Sequence, residues 1–446
     1  MSNIKFKVQP GGTIKGRIRV PGDKSISHRS IMLGAIAEGT TTVTGFLEGD
    51  DSLATLKAFQ AMGVEIKGPE SGNVTIQGVG LKGLKKPNEP LDMGNSGTAM
   101  RLMAGILAGQ DFGCELIGDA SLSKRPMKRV TDPLRLMGAQ IETSEGGLPP
   151  LKITGTGEGA SLKGIDYVLP MASAQVKSCV LLAGLYAKGT TSALEPAPTR
   201  DHTERMLNGF GYQVTSEKLD NQRMKASLTG GGTLTARHID VPSDISSASF
   251  FIAAAAVSKG SDLVVEHVGM NPTRVGIIEI LKLMGADIQL ENFHKVGGEP
   301  VADIHIKYAP LKGIHIPESL VALAIDEFPV LFVVAASATG QTVLTGAEEL
   351  RVKESDRIQV MADALLAVGV DAIPTEDGMI INGGRQSPQK SEIQSHHDHR
   401  ISMAMTIAGL NAVSEIVIDD CANVNTSFPT FIELINQVGM QVEVLK

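Results

Sequence analysis

The chain has 446 residues, of which 42% are hydrophobic and 20% charged, and its formal net charge is −8. This length allows two or more domains with sizeable cores. The negative charge argues against a general nucleic-acid or anionic-membrane surface, so a site for an anionic ligand must be a local cluster of basic groups. The N-terminus lacks an apolar signal-like stretch, and three isolated cysteines show no zinc spacing. We therefore expect a soluble cytoplasmic protein without nucleic-acid or membrane partners.

The first unusual segment is residues 21–29, which read Pro-Gly-Asp-Lys-Ser-Ile-Ser-His-Arg and precede an apolar run. We predict that Ser25 or Ser27 caps a helix here, so that the positive end of the helix faces the turn. Lys24 and Arg29 add two positive charges, which together predict an anion site. A capped surface helix with solvated basic residues is the alternative for this segment taken alone.

An apolar helix that ends at a glycine and runs into a short strand recurs along the chain. A glycine after the last helical turn is what a left-handed C-cap requires, so the repeat has a local physical cause. Six such units, with glycines 70 to 84 residues apart, account for the whole length. The glycines are Gly63, Gly138, Gly211, Gly285, Gly369 and Gly439.

Each unit also contains a second helix rich in Ala, Ser and Met, and helices that are apolar all round are buried on all sides. The pattern predicts a βαβαββ unit with one buried and one amphipathic helix. The predicted buried helices cover residues 27–37, 97–107, 173–187, 246–257, 327–338 and 400–410.

The two halves of the sequence match each other. Val-Pro-Gly-Asp at residues 20–23 and Val-Pro-Ser-Asp at residues 241–244 each precede a Ser-containing buried helix, about three units apart. We predict two α/β domains of three repeats each, one formed by residues 1–21 plus 241–446 and the other by residues 22–240. Two crossing strands would then form a hinge over a ligand cleft.

Polar residues concentrate where the predicted buried helices begin, and basic residues follow within a turn. Ordinary N-caps explain the Ser, Asn and Asp residues singly but not the crowding of Lys and Arg. If equivalent helices run parallel, their positive ends open on one side and suit multiply charged anions. These starts are Lys24-Ser25, residues 95–98 with Arg101, residues 173–175, Asp326-Glu327 and residues 398–400.

Three further segments carry charge that packing does not require. In residues 118–129, Arg125 is held by the following proline and is a candidate clamp for carboxylate or phosphate, although a solvated basic turn is equally compatible. Arg200 could meet a phosphate or pair with Glu204. Residues 351–357 alternate in sign and could surround one substrate atom or form an ion-paired surface.

The segment His396-His397-Asp398-His399 invites a metal interpretation. We disfavour it because no second ligand cluster at zinc spacing occurs and Arg400 is a poor neighbour for a cation. Glycine-rich nucleotide-binding motifs are also absent from the sequence. We therefore expect no metal.

Six motifs together resemble the 5-enolpyruvylshikimate-3-phosphate synthase family over the full length of the chain and occur in that family's order. Residues 173–177, 200–204 and 271–274 further resemble its class II branch, which includes glyphosate-tolerant members. The six motifs are Gly22-Asp23-Lys24-Ser25, residues 94–101, Lys124-Arg125-Pro126, residues 173–177, residues 351–357 and Asp398-His399-Arg400.

The resemblance implies two inside-out α/β barrels, each of three βαβαββ repeats. It also implies transfer of the enolpyruvyl group of phosphoenolpyruvate to the 5-hydroxyl of shikimate 3-phosphate, with release of phosphate, in chorismate biosynthesis. A methyl group forms and then loses a proton in this reaction, so neither a metal nor an organic cofactor is needed. We expect a monomer whose partners are these two small molecules.

Site residues follow from the same resemblance. Asp326 is the implied base for the 5-hydroxyl, and Glu354 and Lys24 handle the other proton. The residues implied for shikimate 3-phosphate are Lys24, Ser25, Arg29, Ser173, Ala174, Gln175, Arg200, Asp326 and Lys353. Those implied for phosphoenolpyruvate are Lys24, Gly97, Arg125, Gln175, Arg357 and Arg400.

Three positions need comment against the family pattern. Ala174 stands where many relatives have a second phosphate-binding serine, and Thr426 stands where other branches have a lysine. Tolerant class II enzymes can carry alanine at the position of Gly97, where a methyl group crowds the longer inhibitor more than the substrate. The sequence leaves tolerance of this chain open.

Two other functions remain as alternatives. The related enolpyruvyl transferase that acts on a UDP-sugar places a reactive cysteine before the Arg-Pro pair, whereas residues 118–126 contain none and Cys114 lies in a predicted strand. A ring of six repeats could also be a non-enzymatic scaffold or clamp, but a clamp would spread basic residues over every repeat.

Overall fold

The computed structural model describes residues 4–157, 160–219, 223–384 and 391–446. It divides into two compact units. Unit 1 comprises Met1–Pro21, Pro242–Lys295 and Pro300–Lys446, and unit 2 comprises Gly22–Val241 and Val296–Glu299. The chain thus passes between the units next to the two Val-Pro sequences, and a short segment at residues 296–299 also belongs to unit 2.

In chain order the strands are β1 (Lys5–Val8), β2 (Lys15–Ile18), β3 (Glu38–Thr44), β4 (Glu65–Glu70), β5 (Asn73–Val79), β6 (Leu91–Asp92), β7 (Cys114–Ile117), β8 (Ile141–Ser144), β9 (Leu148–Ile153), β10 (Leu162–Lys163), β11 (Asp166–Val168), β12 (Ala187–Lys188), β13 (Thr190–Glu195), β14 (Thr215–Lys218), β15 (Met224–Thr229), β16 (His238–Asp240), β17 (Asp262–Gly269), β18 (Asp287–Val296), β19 (Glu299–Lys307), β20 (Gly340–Leu344), β21 (Asp371–Pro374), β22 (Met379–Gly383), β23 (Ser391–Gln394), β24 (Ile416–Asp419) and β25 (Val442–Leu445). The helices are α1 (Lys24–Ala35), α2 (Asp50–Ala61), α3 (Gly97–Ala108), α4 (Lys128–Leu136), α5 (Ala174–Gly184), α6 (His202–Gly209), α7 (Ile245–Val257), α8 (Gly276–Leu283), α9 (Glu318–Val321), α10 (Phe328–Ser337), α11 (Arg357–Ala367), α12 (His399–Ala408) and α13 (Phe431–Gln437).

Unit 2 contains three four-stranded sheets of one topology, in the orders β16-β3-β5-β4, β6-β7-β9-β8 and β11-β13-β15-β14. In each sheet the first pair of strands is parallel and the other two pairs are antiparallel. Chain order in the second sheet runs β6-α3-β7-α4-β8-β9, which is the predicted βαβαββ unit. A short parallel pair, β10-β12, adds a further sheet.

Unit 1 repeats this topology with strands taken from distant parts of the chain. Its sheets have the orders β18-β19-β17-β2, β20-β22-β21 and β23-β24-β1-β25. The N-terminal strand β1 pairs antiparallel with both β24 and β25, and β2 pairs parallel with β17. In the three-stranded sheet, a parallel bridge between His315 and Val343 stands where the fourth strand lies in the others.

Each unit has its own hydrophobic core, built around three helices that are almost wholly buried. These are α1, α3 and α5 in unit 2 and α7, α10 and α12 in unit 1, in agreement with the small, apolar residues of their sequences. The remaining repeat helices present one buried face. All six predicted C-cap glycines have φ between 81° and 123°, the left-handed region that a glycine adopts without a side-chain clash.

Candidate active site

The N-terminal ends of the three buried helices of unit 2 contact one another through polar side chains. Gln175 in α5 donates to Thr98 Oγ1 in α3 at 3.0 Å and accepts a hydrogen bond from the Arg101 guanidinium. His28 Nε2 in α1 lies 3.4 Å from Ser96 Oγ, which caps α3. The unpaired N–H groups and positive dipole ends of the three helices are therefore gathered on one side of unit 2, which suits an anionic ligand.

The start of α1 corrects one prediction. Asp23, rather than Ser25 or Ser27, caps the helix, and its Oδ1 accepts a hydrogen bond from Ile26 N at 2.9 Å. Ser27 is buried inside the helix, where its hydroxyl accepts from Leu47 N at 3.0 Å. The observed cap lies two or four residues before the predicted ones, because three cap-forming residues compete within five positions.

Lys24 and Arg29 both lie at this end of α1. Lys24 Nζ is 2.8 Å from Asp51 Oδ2, so the lysine is already paired within its own unit. Arg29 is buried and donates through Nε to Thr203 Oγ1 at 2.7 Å. Burial lowers the pKa of Arg29 to about 10, and the nearby positive charge of Arg200 acts in the same direction. Arg29 and Arg200 are therefore within electrostatic reach of each other, an arrangement that would suit a dianion.

The start of α3 lies between arginine side chains, and its first residue, Gly97, is buried. A Cβ on Gly97 would lie 3.3 Å from Arg125 Nη1 and 3.7 Å from Arg101 Nη1. Arg125 itself donates through Nη2 to Asn95 Oδ1 at 2.8 Å, which holds it beside the helix start. Two positive charges thus flank the start of α3, and Arg125 is held by a hydrogen bond rather than lying in a solvated basic turn.

The start of α5 carries Ser173, Ala174 and Gln175. Ser173 is the N-cap, and its hydroxyl accepts a hydrogen bond from Val176 N at 3.4 Å. Ala174 is the first helical residue and contributes its backbone N–H but no hydroxyl. One turn further in, the buried Lys177 pairs with Glu204, the residue that the sequence offered as a partner for Arg200.

In unit 1 the side chain of Arg357 lies at the centre of a charged cluster, and only 1% of it is exposed. Its Nε is 2.8 Å from Asp398 Oδ2, its Nη2 is 2.6 Å from Glu354 Oε2, and its Nη1 is 3.6 Å from Asp326 Oδ1. Burial acts to lower the pKa of Arg357, but these carboxylates outweigh it and raise the pKa well above the ordinary arginine value. Arg357 therefore stays cationic while three carboxylates fix its position.

Two more predicted residues join this cluster through Asp326. Lys353 Nζ lies 3.6 Å from Asp326 Oδ1, and Arg400 Nη1 donates to the Asp326 backbone carbonyl at 2.7 Å. Asp326 precedes α10, whose N-cap is Glu327, so the helix begins later than predicted, at Phe328. The unit 1 residues predicted for the site are thus brought together around one carboxylate.

Several polar contacts near these helix starts were not predicted from the sequence. Asp51 pairs with Lys24, and Arg274 Nη2 pairs with Asp244 Oδ1 at 2.9 Å and with Ser246 Oγ at 2.7 Å. The sequence shows each of these charges, as it shows Lys177 within α5. Such a signal identifies a buried charge but not its partner.

The histidine segment forms a different contact from the one a metal site requires. His397 Nδ1 lies 2.7 Å from Asp420 Oδ2, and Asp398 binds Arg357. Within the described ranges, no group of three or more His, Cys, Asp or Glu side chains is arranged to hold a metal ion. Burial raises the pKa of Cys114, in β7, to about 12.

Five four-stranded sheets of one topology and a three-stranded variant of it, with polar helix starts gathered in each unit, define an α/β protein with the enolpyruvyl transferase fold. The family model described as EPSP synthase (3-phosphoshikimate 1-carboxyvinyltransferase) matches residues 8–435. The chain belongs to this family.

Curated relatives and solved structures agree with this assignment. The 3-phosphoshikimate 1-carboxyvinyltransferase of Hydrogenovibrio crunogenus is 80% identical over 441 residues, covering 99% of this chain and 98% of the relative. That of Methylococcus capsulatus is 61% identical over 442 residues, covering 99% of each chain. The solved EPSP synthase of Acinetobacter baumannii has a TM-score of 0.89 and 61% identity, covering 99% of this chain and 100% of its own.

None of the helices in the described parts of the chain has both the length and the apolar character that crossing a membrane demands.

Proposed function

We propose that this chain transfers the enolpyruvyl group of phosphoenolpyruvate to the 5-hydroxyl of shikimate 3-phosphate and releases phosphate. The observation that supports the proposal most directly is the gathering of basic side chains at buried helix starts within each unit. Lys24, Arg29 and Arg125 lie there in unit 2. In unit 1, Arg400 lies at the start of α12, and Arg357 binds Asp398, the cap of that helix. The two substrates carry several negative charges, which such groups offset.

The residues of unit 2 are proposed to hold the anionic groups. Ser25, Arg29, Ser173, Ala174, Gln175 and Arg200 would bind shikimate 3-phosphate, Ala174 through its backbone. Gly97 and Arg125 would bind phosphoenolpyruvate, because the positive end of α3 lies beside a guanidinium and both favour an anion.

The residues of unit 1 are proposed to carry the proton transfers. In the addition step, the Asp326 carboxylate accepts the 5-hydroxyl proton while the oxygen bonds to C2 of phosphoenolpyruvate and C3 gains a proton from Glu354 or Lys24. In the elimination step, the carbon–oxygen bond to phosphate breaks and the new methyl group returns a proton. Lys353 and Arg357 lie 3.6 Å from the Asp326 carboxylate and keep it beside positive charge.

Phosphate release from phosphoenolpyruvate, measured with and without shikimate 3-phosphate in metal-chelating buffer, tests this proposal. Release that requires both substrates establishes the reaction and its acceptor. No release from a folded sample would contradict it, and a UDP-sugar acceptor and then low-salt DNA binding would be assayed next.

The proposal assigns residues of both units to one reaction. Arg125→Met in unit 2 and Arg400→Met in unit 1 should therefore each raise the KM for phosphoenolpyruvate. An effect of only one of the two variants would remove the other residue from the phosphoenolpyruvate site. The proposed enzyme acts as a monomer in the cytoplasm, and its three free thiols are compatible with a reducing compartment.

A further inference from the structure

A buried ionic triad lies one turn inside α5, and the functions assigned above do not use it. Lys177 has a side chain that is only 2% exposed, and its Nζ lies 3.0 Å from Glu195 Oε1 and 2.8 Å from Glu204 Oε1. Glu195 is the last residue of β13, and Glu204 lies in the first turn of α6. The triad therefore ties α5 to both ends of the connecting segment, residues 196–201, which carries Arg200.

The same groups also hold the backbone next to Arg200. Lys177 Nζ donates to the Thr199 carbonyl at 3.4 Å. Glu195 accepts from the Thr199 N–H at 3.3 Å and from the Thr199 hydroxyl at 2.5 Å. The residue before Arg200 is thus bound through its N–H, its carbonyl and its side chain, all to members of one triad.

The charges of the triad do not cancel, since two carboxylates share one ammonium. Burial raises the pKa of Glu195, against the opposing effect of Lys177. Glu204 Oε2 is buried and makes no hydrogen bond to any part of the chain that the structure describes. Glu204 also acts electrostatically on Arg29, whose Nε binds the neighbouring Thr203. Without the lysine, both carboxylates would be attracted to the arginines of the proposed phosphate site.

We propose that Lys177 is a positioning residue for shikimate 3-phosphate: it fixes the backbone that carries Arg200 and keeps Glu195 and Glu204 from pairing with Arg200 and Arg29. The inference rests on the proposed function, because it assigns the ligand of these arginines. It goes beyond that function by naming a residue that acts on the site from within the core.

Three variants test the proposal: Lys177→Met, the neutral triple variant Lys177→Met/Glu195→Gln/Glu204→Gln, and Leu182→Ala. Leu182 is a buried residue of α5, so its truncation loosens the helix without changing any charge. Isothermal titration gives the Kd for shikimate 3-phosphate, and thermal unfolding gives the Tm. Lys177→Met should raise the Kd about tenfold, the factor expected for one lost hydrogen bond to a charged group.

The triple variant should recover part of that loss, because its amides no longer compete for the arginines. The KM for phosphoenolpyruvate and kcat at saturating shikimate 3-phosphate should stay near the parent values. Leu182→Ala should lower the Tm with an unchanged Kd. Two outcomes would overturn the positioning role of Lys177. One is a Kd in Leu182→Ala that rises as much as in Lys177→Met at the same loss of Tm. The other is a Kd in the triple variant no lower than in Lys177→Met.

Two further measurements keep the test decisive. If Lys177→Met does not fold, Thr199→Val removes only a hydroxyl donor to Glu195 and should raise the Kd about threefold. An unchanged Kd in that variant contradicts the proposal. If the parent protein fails to bind shikimate 3-phosphate, the proposed function is wrong. In that case, inorganic phosphate becomes the probe, and equal phosphate affinity in the parent and Lys177→Met overturns the inference separately.

Discussion

Replacing Asp398 separates two contributions that this buried carboxylate makes to unit 1. It accepts from Arg357 Nε at 2.8 Å and from Ser355 Oγ at 3.0 Å, and it caps α12 by accepting from Arg400 N at 3.0 Å. Asparagine keeps an oxygen for the cap but removes the charge that faces Arg357. Alanine removes both.

The structure sets the size of each effect. Leaving a buried charge without its partner typically costs about 3–5 kcal/mol. Arg357 keeps Glu354 at 2.6 Å and Asp326 at 3.6 Å, so we expect the lower end, about 3 kcal/mol, for Asp398→Asn. Loss of an N-cap adds about 1 kcal/mol, which gives about 4 kcal/mol for Asp398→Ala.

Urea unfolding followed by far-UV circular dichroism measures these changes, since the chain has no tryptophan to report by fluorescence. The two units can unfold in separate steps, so each transition is fitted by itself. A free energy of unfolding for Asp398→Asn within about 0.5 kcal/mol of the parent value would refute the argument that the Asp398 charge compensates Arg357.

Further variants test the proposed chemistry and the buried histidine. Asp326→Ala and Glu354→Gln should bind shikimate 3-phosphate but lose most turnover. The control Glu349→Gln, at an exposed position near Glu354, should keep the parent kcat. An unchanged kcat in Asp326→Ala or Glu354→Gln would remove that residue from the mechanism. Burial lowers the pKa of His28 from 6.5 to about 3. The folded protein therefore holds His28 neutral between these pH values, and the free energy of unfolding should fall by about 1.4 kcal/mol for each pH unit below 6.5. His28→Gln should remove that slope, and equal slopes in urea unfolding from pH 7 to 4 would contradict this account. Gly97→Ala places a methyl group 3.3 Å from the Arg125 Nη1 atom. It should raise the inhibitory concentration of glyphosate by a larger factor than the KM for phosphoenolpyruvate. Equal factors would argue against selective crowding of the inhibitor.

Local rules explain why much of the architecture was predictable. A glycine at a helix end commonly adopts the left-handed C-cap conformation. Gly63 and its five equivalents all do so, and they therefore marked the helix end in each repeat. The buried helices were recognisable because a helix without a polar face must be enclosed, as α7 is along its whole length. The predicted cap of α1 was wrong by two or four residues because Asp23, Ser25 and Ser27 satisfy the same local rule.

Pairings between distant residues could not be obtained in this way. Lys24 with Asp51, Lys177 with Glu195, and Arg274 with Asp244 join different elements, and nothing in one sequence couples these positions. The predicted site residues came from motifs, but their partners depend on how sheets and helices pack. The assignment of individual residues to the two substrates therefore stays a prediction that the variants above test.

The discontinuous make-up of unit 1 has a consequence for biosynthesis. Gly22–Val241 forms almost all of unit 2, so this unit can fold while the chain is still being made. The strand β1 is synthesised long before both of its neighbours, β24 and β25. More than 400 residues are therefore synthesised before the strands that pair with β1 are available. We expect nascent chains of this protein to depend on chaperone protection of β1 until β24 and β25 have been made.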